Sequence, residues 1–206
     1  MQEVIKLYWE LRATAEKNGD EIAQEFSVNH HEEPASFFAM AFNNITMTLE
    51  LLDYYHRLWG NITSTTCSSI EEAKAQNGER VIMLQKMSFI EVMSSFEYSA
   101  KKIVLSNPSK FGSFSGRVYL SKIMQKSLKI GLIDQAALEL WDGAIRLRNS
   151  LVHNNGISEE TASYTYPEVT VNVNNNTMTQ GNLRQFGLLS KWLLDESKTW
   201  VSDANK

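Results

Sequence analysis

Between Gly78 and the Asn107-Pro108 pair, Ile82, Phe89, Ile90, Met93, Phe96, Ala100, Ile103 and Val104 recur at the three- and four-residue steps of an α-helix. The spacing predicts one long helix from Glu79 to Leu105. Proline stops it, having no N–H to donate and disfavouring helical geometry in the residue before it. A helix with an apolar stripe of this length gains most of its stability by packing that stripe against other elements, so the chain must supply partner helices.

The partners are legible on both sides. Val4, Leu7, Tyr8, Leu11 and Ala15 mark a first amphipathic helix, with Asn18-Gly19 as its expected stop. Phe38, Phe42, Ile45, Leu49, Leu52 and Trp59 mark a second, expected from Pro34 to Trp59 and closed by Gly60. The Ser/Thr-rich stretch from Asn61 to Ser69 reads as a loop, Ile70 to Gln76 as a short helix, and Gly78 as a break. After a loop from Lys110 to Gly116, Val118, Ile123, Met124 and Leu128 form a shorter helix ended by Gly131. Asp134 then caps a helix carrying Ala137, Leu140, Trp141, Ala144, Ile145 and Leu151. Beyond it Val169, Val171 and Val173 alternate with polar residues, and Asn174-Asn175-Asn176 supplies a turn before Thr177-Met178-Thr179. This pattern predicts a short, exposed hairpin, set at about 164–180. A final helix, about 183–201, buries Phe186, Leu189, Leu193 and Trp200. The fold class expected is all-α: a helical bundle with a short β-hairpin inserted before the C-terminal helix, in a single domain over 1–206.

Of the 206 residues, 43% are hydrophobic and 21% charged, enough to build a full core. The formal net charge of −4 argues against a generally basic nucleic-acid coat, so any polyanion contact must be local. The single cysteine, Cys67, excludes an internal disulfide; with no leader-like N-terminal pattern, a cytoplasmic location is expected. Charged or amide side chains interrupt every apolar segment, so no membrane span is expected.

Chemistry concentrates at the end of the capped helix, in Arg148-Asn149-Ser150-Leu151-Val152-His153, followed by Asn154-Asn155-Gly156. Arginine presents a planar fork of donors that suits phosphate, and histidine moves protons near neutral pH. At roughly 100° per residue, Asn149 and His153 share a face with Ile145, while Arg148 lies about 140° round from His153. Arg148 must therefore reach the site by its long stem, or converge with a copy of itself from a second chain. The helix macrodipole at its C-terminus favours the imidazolium form of His153. In a purely structural role, Arg148 would instead reach a carboxylate and His153 would cap the helix.

The all-helical order, with the stretch Lys129-Ile130-Gly131-Leu132-Ile133 running on to Arg146-Leu147-Arg148-Asn149-Ser150-Leu151-Val152-His153, resembles the HEPN superfamily (higher eukaryote and prokaryote nucleotide-binding domain). In that family a helix carries Arg, four to six residues, then His. Arg148 and His153 fit, and Asn149 is the polar residue common after the Arg. Glu97-Tyr98-Ser99-Ala100-Lys101-Lys102 resembles a second family motif, Glu, three residues, then Lys-Arg, with Lys102 where the arginine stands. The motif-bearing core covers about 79–156.

The resemblance implies a homodimer whose two motifs face one cleft, and a metal-independent endoribonuclease with no cofactor, of the toxin or defence-effector kind. Arg148, Asn149 and His153 would be its catalytic residues, with Glu97, Lys101 and Lys102 binding substrate. An antitoxin or other protein partner is implied with the toxin reading. The alternative is a catalytically silent dimeric module that binds RNA, a nucleotide or a protein. Some members carry a modifiable tyrosine two residues after the His; Asn155 stands there in this chain.

Rival sites are weaker. Adjacent His30 and His31, before Glu32-Glu33, cannot both face one metal ion without a special turn. Cys67 has no histidine near it in sequence, and His56 reads as a packed or surface residue. Asn44-Ile45-Thr46, Asn61-Ile62-Thr63 and Asn175-Asn176-Thr177 match the glycosylation pattern, but no signal peptide is seen to deliver them. The five tryptophans lie on apolar stripes and are assigned to the core.

Overall fold

A computed structural model describes residues 1–59, 69–153, 157, 161–175 and 182–206. Within these, seven helices and one two-stranded antiparallel sheet follow in the order α1 (Gln2–Phe26), α2 (Ser36–Trp59), α3 (Ile70–Ser106), α4 (Pro108–Phe111), α5 (Leu120–Lys129), α6 (Gln135–His153), β1 (Ala162–Tyr166), β2 (Val169–Val173) and α7 (Gln185–Asn205). The protein is an all-α bundle with a short hairpin before its last helix.

The long helix α3 is the axis. It packs against α2, α7, α6, α5 and α4, while α1 closes the far side against α2 and α7. Of its expected stripe, Phe89, Met93, Phe96, Ala100, Ile103 and Val104 are buried, whereas Ile82 and Ile90 are only half-buried and their neighbours Val81 and Val92 enter the core instead. Phe96 is the hub. Its ring stacks on Trp141 of α6 at 4.8 Å and meets Trp200 of α7 and Phe37 of α2 edge-on at 5.5 and 5.3 Å. Offset stacks and edge contacts of this kind add to the energy of area burial, so one residue couples four helices. Among the described residues, all the buried apolar side chains but Ala73 form one contiguous cluster.

Two expected helix stops are absent. α1 runs through Asn18-Gly19, because Asn18 donates from Nδ2 to the Leu194 carbonyl of α7 and Gly19 lets α2 approach: a Cβ there would lie 3.1 Å from Phe38 Cβ. Glycine and asparagine serve helix packing here, and tertiary contact overrides their preference for a terminus. α3 likewise begins at Ile70 and passes through Gly78 unbroken; Ser69 caps it by accepting from the Glu72 N–H. A lone glycine costs a helix only about 1 kcal/mol against alanine, too little to break one of this length. Pro34 lies before α2 and not in its first turn. The stretch expected to be loop from Lys110 begins inside the four-residue helix α4.

The hairpin differs more. Val169–Val173 is a strand, but its partner is Ala162–Tyr166, paired from Ala162↔Val173 to Tyr166↔Val169 around a Pro167-Glu168 turn. Nor is it simply exposed: Tyr166, Val171 and Val173 join the core, the Tyr166 ring packs on Trp192 at 4.7 Å, and its hydroxyl donates to the Leu140 carbonyl. Strand alternation buries one face and leaves the other wet. Gly60, the loop residues Asn61–Ser68 with Cys67, Asn154-Asn155-Gly156, and Asn176 with Thr177–Thr179 lie outside the described residues. Of the five tryptophans, Trp141, Trp192 and Trp200 are buried, whereas Trp9 is exposed beside Arg12. No described helix is long and apolar enough to cross a membrane.

Candidate functional site

Asp134 starts α6 as expected: its Oδ1 accepts from the Ala137 N–H at 2.7 Å. Trp141, Ala144 and Leu147 then lock the helix into the core, which fixes where its last two turns emerge. Arg148 leaves the buried side and turns back across the helix. Its Nη1 donates to Asn149 Oδ1 at 3.0 Å and its Nη2 to Ser94 Oγ of α3 at 3.2 Å, with Glu97 Oε2 3.6 Å from the same nitrogen.

Arg148 and Glu97 are each about three-quarters buried, with side-chain exposures of 23% and 27%. Partial desolvation strengthens the attraction over that of a surface pair, and the extra hydrogen bonds hold the fork in one orientation. The guanidinium Nε is buried with no protein partner, leaving an unspent donor. Arg148 thus reaches toward the Asn149 face by its stem, within a single chain.

The guanidinium forms part of the wall of a cleft of about 260 Å³ lined by Met93, Glu97, Tyr119, Leu120, Ser121, Ile145, Arg148 and Asn149. Three elements build it: α3 supplies Met93 and Glu97, α6 supplies Ile145, Arg148 and Asn149, and the start of α5 supplies the rest. Glu97 also accepts from the Leu120 N–H at 3.4 Å. A carboxylate at a helix N-terminus, facing a guanidinium, is favoured by both charges.

The other expected site residues divide. His153 is the last residue of α6, exposed, and is not among the residues lining the cleft. Asn149 engages Arg148 through its carbonyl oxygen. Lys101 is half-buried on α3, one turn beyond Glu97, while Lys102 points away, its Nζ 4.0 Å from Glu33 and 4.4 Å from the centre of the Tyr98 ring. A hydrogen bond with Tyr98 pushes the Lys102 ammonium pKa up. The described contacts therefore join Arg148, Asn149 and Glu97, and leave Lys102 elsewhere.

Elsewhere, His30 lies 3.4 Å from Asp20 at the edge of a shallow pocket over Phe38 and Phe42. Among the described residues no three His, Cys, Asp or Glu side chains gather in a way that could hold a metal ion.

One signal in the sequence went unread. From Tyr98 to Ile133 the chain has seven lysines and arginines and no aspartate or glutamate, in a protein whose formal charge is −4. That segment carries the end of α3, all of α5 and the cleft residues Tyr119, Leu120 and Ser121. The remainder of the chain accordingly carries a formal −11. Charge counted along the whole molecule hides a local excess that charge counted in windows reveals.

Fold and site together define an all-helical bundle with an arginine set in a three-helix cleft. No family model matches the chain, and neither a curated protein nor a solved structure matches it.

Proposed function

We propose that the protein is a metal-independent endoribonuclease of HEPN type, acting as a homodimer in which two Arg148–His153 motifs face one cleft. The observation that carries this reading is the state of Arg148: a guanidinium oriented by Ser94, Glu97 and Asn149 in the wall of a cleft. A fork so fixed binds a phosphodiester and stabilises the extra negative charge of a five-coordinate transition state. His153, one helical turn past Asn149, accepts the proton of the ribose 2′-OH as that oxygen attacks phosphorus. The bond to the 5′ oxygen breaks, and that oxygen takes a proton from the imidazolium of the second copy, giving a 2′,3′-cyclic phosphate and a 5′-OH. A toxin or defence role, with an antitoxin or other protein partner, belongs to the same reading.

A second reading is favoured by a specific contact. Arg148 already has a carboxylate, Glu97, and His153 lies outside the cleft of the single chain, as suits a dimeric module that binds RNA, a nucleotide or a protein without cutting. Total cellular RNA incubated with the purified protein in EDTA separates the two. Cleavage with cyclic-phosphate ends, lost by a factor of about 10² or more in Arg148→Ala and in His153→Ala, is expected. Cutting of DNA or of RNA blocked at the 2′-OH would sink the mechanism, and no cutting of RNA in the presence or absence of divalent metal would favour the binding module.

A further inference from the structure

Tyr119 lines the cleft, yet the Arg148 chemistry makes no use of it. The residue stands in extended conformation just ahead of α5 and is 45% exposed. Two cations flank that ring: the Arg117 guanidinium at 5.3 Å and Lys122 Nζ at 5.7 Å from its centre. Lys122 donates to the carbonyls of Arg117 and Ser115 at 3.1 and 3.5 Å. These acceptors are neutral, so they fix the ammonium in place and leave its charge uncompensated.

The same device recurs one turn along α5. Lys126 donates to the carbonyls of Phe111 and Ser113 at 2.5 and 2.6 Å and lies 4.1 Å from the centre of the Phe114 ring. Two lysines held by loop carbonyls, each near an aromatic ring, occupy the acid-free segment on successive turns of α5. Fixed cations interleaved with aromatic faces are what a single strand of nucleic acid requires, one for its phosphates and the other for its bases.

We propose that the loop before α5 and the exposed side of α5 form a track for single-stranded RNA. Tyr119 stacks on the base next to the phosphate held by Arg148, and Arg117 and Lys122 contact flanking phosphates. Because it takes Arg148 as the phosphate ligand, the track rests on the reading above, although it requires binding only. An anionic lipid surface would also meet the charges, but it has no use for an aromatic ring set in the wall of a cleft.

The test is fluorescence anisotropy with a labelled, fully 2′-O-methylated oligoribonucleotide, which cannot be cut by 2′-OH attack. Arg117→Ala/Lys122→Ala should weaken binding at least tenfold and flatten the dependence of log K on log salt by about 0.7 per phosphate contact removed. Tyr119→Ala should cost about tenfold, Tyr119→Phe less than about twofold, and Lys6→Ala on α1 nothing, since stacking needs only the ring. All of these side chains are exposed, and circular dichroism checks that each variant is folded.

Failure of the native protein to bind, or equal binding by every variant, overturns the track. So does a loss confined to the charge variants together with tight binding to phosphatidylserine vesicles, which assigns the patch to lipid. The two readings fail separately. Binding with this pattern and no cleavage of native RNA removes the nuclease and keeps the track, whereas cleavage indifferent to Tyr119, Arg117 and Lys122 does the reverse.

Discussion

At the scale of single residues, the site turns on Glu97. It does two jobs, steadying the Arg148 guanidinium at 3.6 Å and accepting from the first N–H of α5. On the proposed reading it is also an anion beside the phosphate position and competes with the ligand. Glu97→Gln keeps the shape and an acceptor oxygen but removes the charge. The bound phosphate should then hold the guanidinium more tightly in the ground state while the fork loses its fixed orientation. We expect KM and kcat to fall together, kcat by about tenfold: the lower KM reads the repulsion removed from the ground state, and the lower kcat the lost orientation of the fork. If the pair only braces the fold, the variant will lower Tm and leave both constants unchanged. The Glu97 to Arg148 contact was not legible in the sequence. Spacing along α3 ties Glu97 to Lys101, four residues on, and only the packing of α6 against α3 brings Arg148 to it.

At the scale of elements, glycine has two opposite meanings that sequence alone does not separate. Gly78 lies inside α3 with open space where a Cβ would go. Gly78→Ala should therefore stabilise by about 0.5–1 kcal/mol through helix propensity, a rise of about 1–4 °C in Tm. Gly143, in α6, is covered by the hairpin: a Cβ would fall 2.4 Å from the Tyr164 ring. Gly143→Ala should cost about 1–3 kcal/mol as an overpacked contact and make the hairpin the first site of limited proteolysis; cleavage elsewhere first would count against this. Periodicity revealed which helices exist because apolar spacing is local. It misplaced the ends of α1 and α3 because Asn18, Gly19 and Gly78 sit where distant neighbours, or their absence, decide. The strand Val169–Val173 was visible for the same local reason. Its partner was not, since the asparagine run looks more like a turn than Pro167-Glu168 does.

The helix α7 carries a pH-dependent cost. Burial, with Asp195 and Asp134 nearby, raises the Glu196 carboxyl pKa above its ordinary 4.5. A raised folded-state value means that the native chain holds this proton more firmly than the unfolded chain. This contribution is thus full below about pH 4.5 and is lost as pH rises through the folded value. Glu196→Gln should raise Tm at pH 7, and the gain should vanish in scans at acid pH. A gain that persists there would point to a cause other than ionisation.

For the whole molecule, the outer side of α3 poses the remaining problem. Met83, Met87, Tyr98 and Leu105 are each more than half exposed, and with Ile90 and Ser94 they fall at steps of three, four or seven residues along one face. Exposed apolar side chains aligned in this way, with Lys101 between Tyr98 and Leu105 on the same line, suit an interaction surface. Ser94, within it, is the residue that holds Arg148. If two copies meet along this face about a twofold axis near Ser94, each presents the same patch to the other, and the two guanidinium groups come side by side. In such a dimer their repulsion would be tempered in each chain by its own Glu97 and relieved by one phosphate bridging them, so the substrate would complete what the dimer prepares. The protein should accordingly sediment as a dimer at micromolar concentration. Met87→Glu, which puts a charge into the patch without touching the core, should give a folded monomer whose Tm no longer depends on protein concentration and that has lost cleavage in proportion to its loss of dimer. A native protein that cuts RNA while sedimenting as a monomer would refute the composite cleft and place all of the chemistry on Arg148 and His153 of one chain.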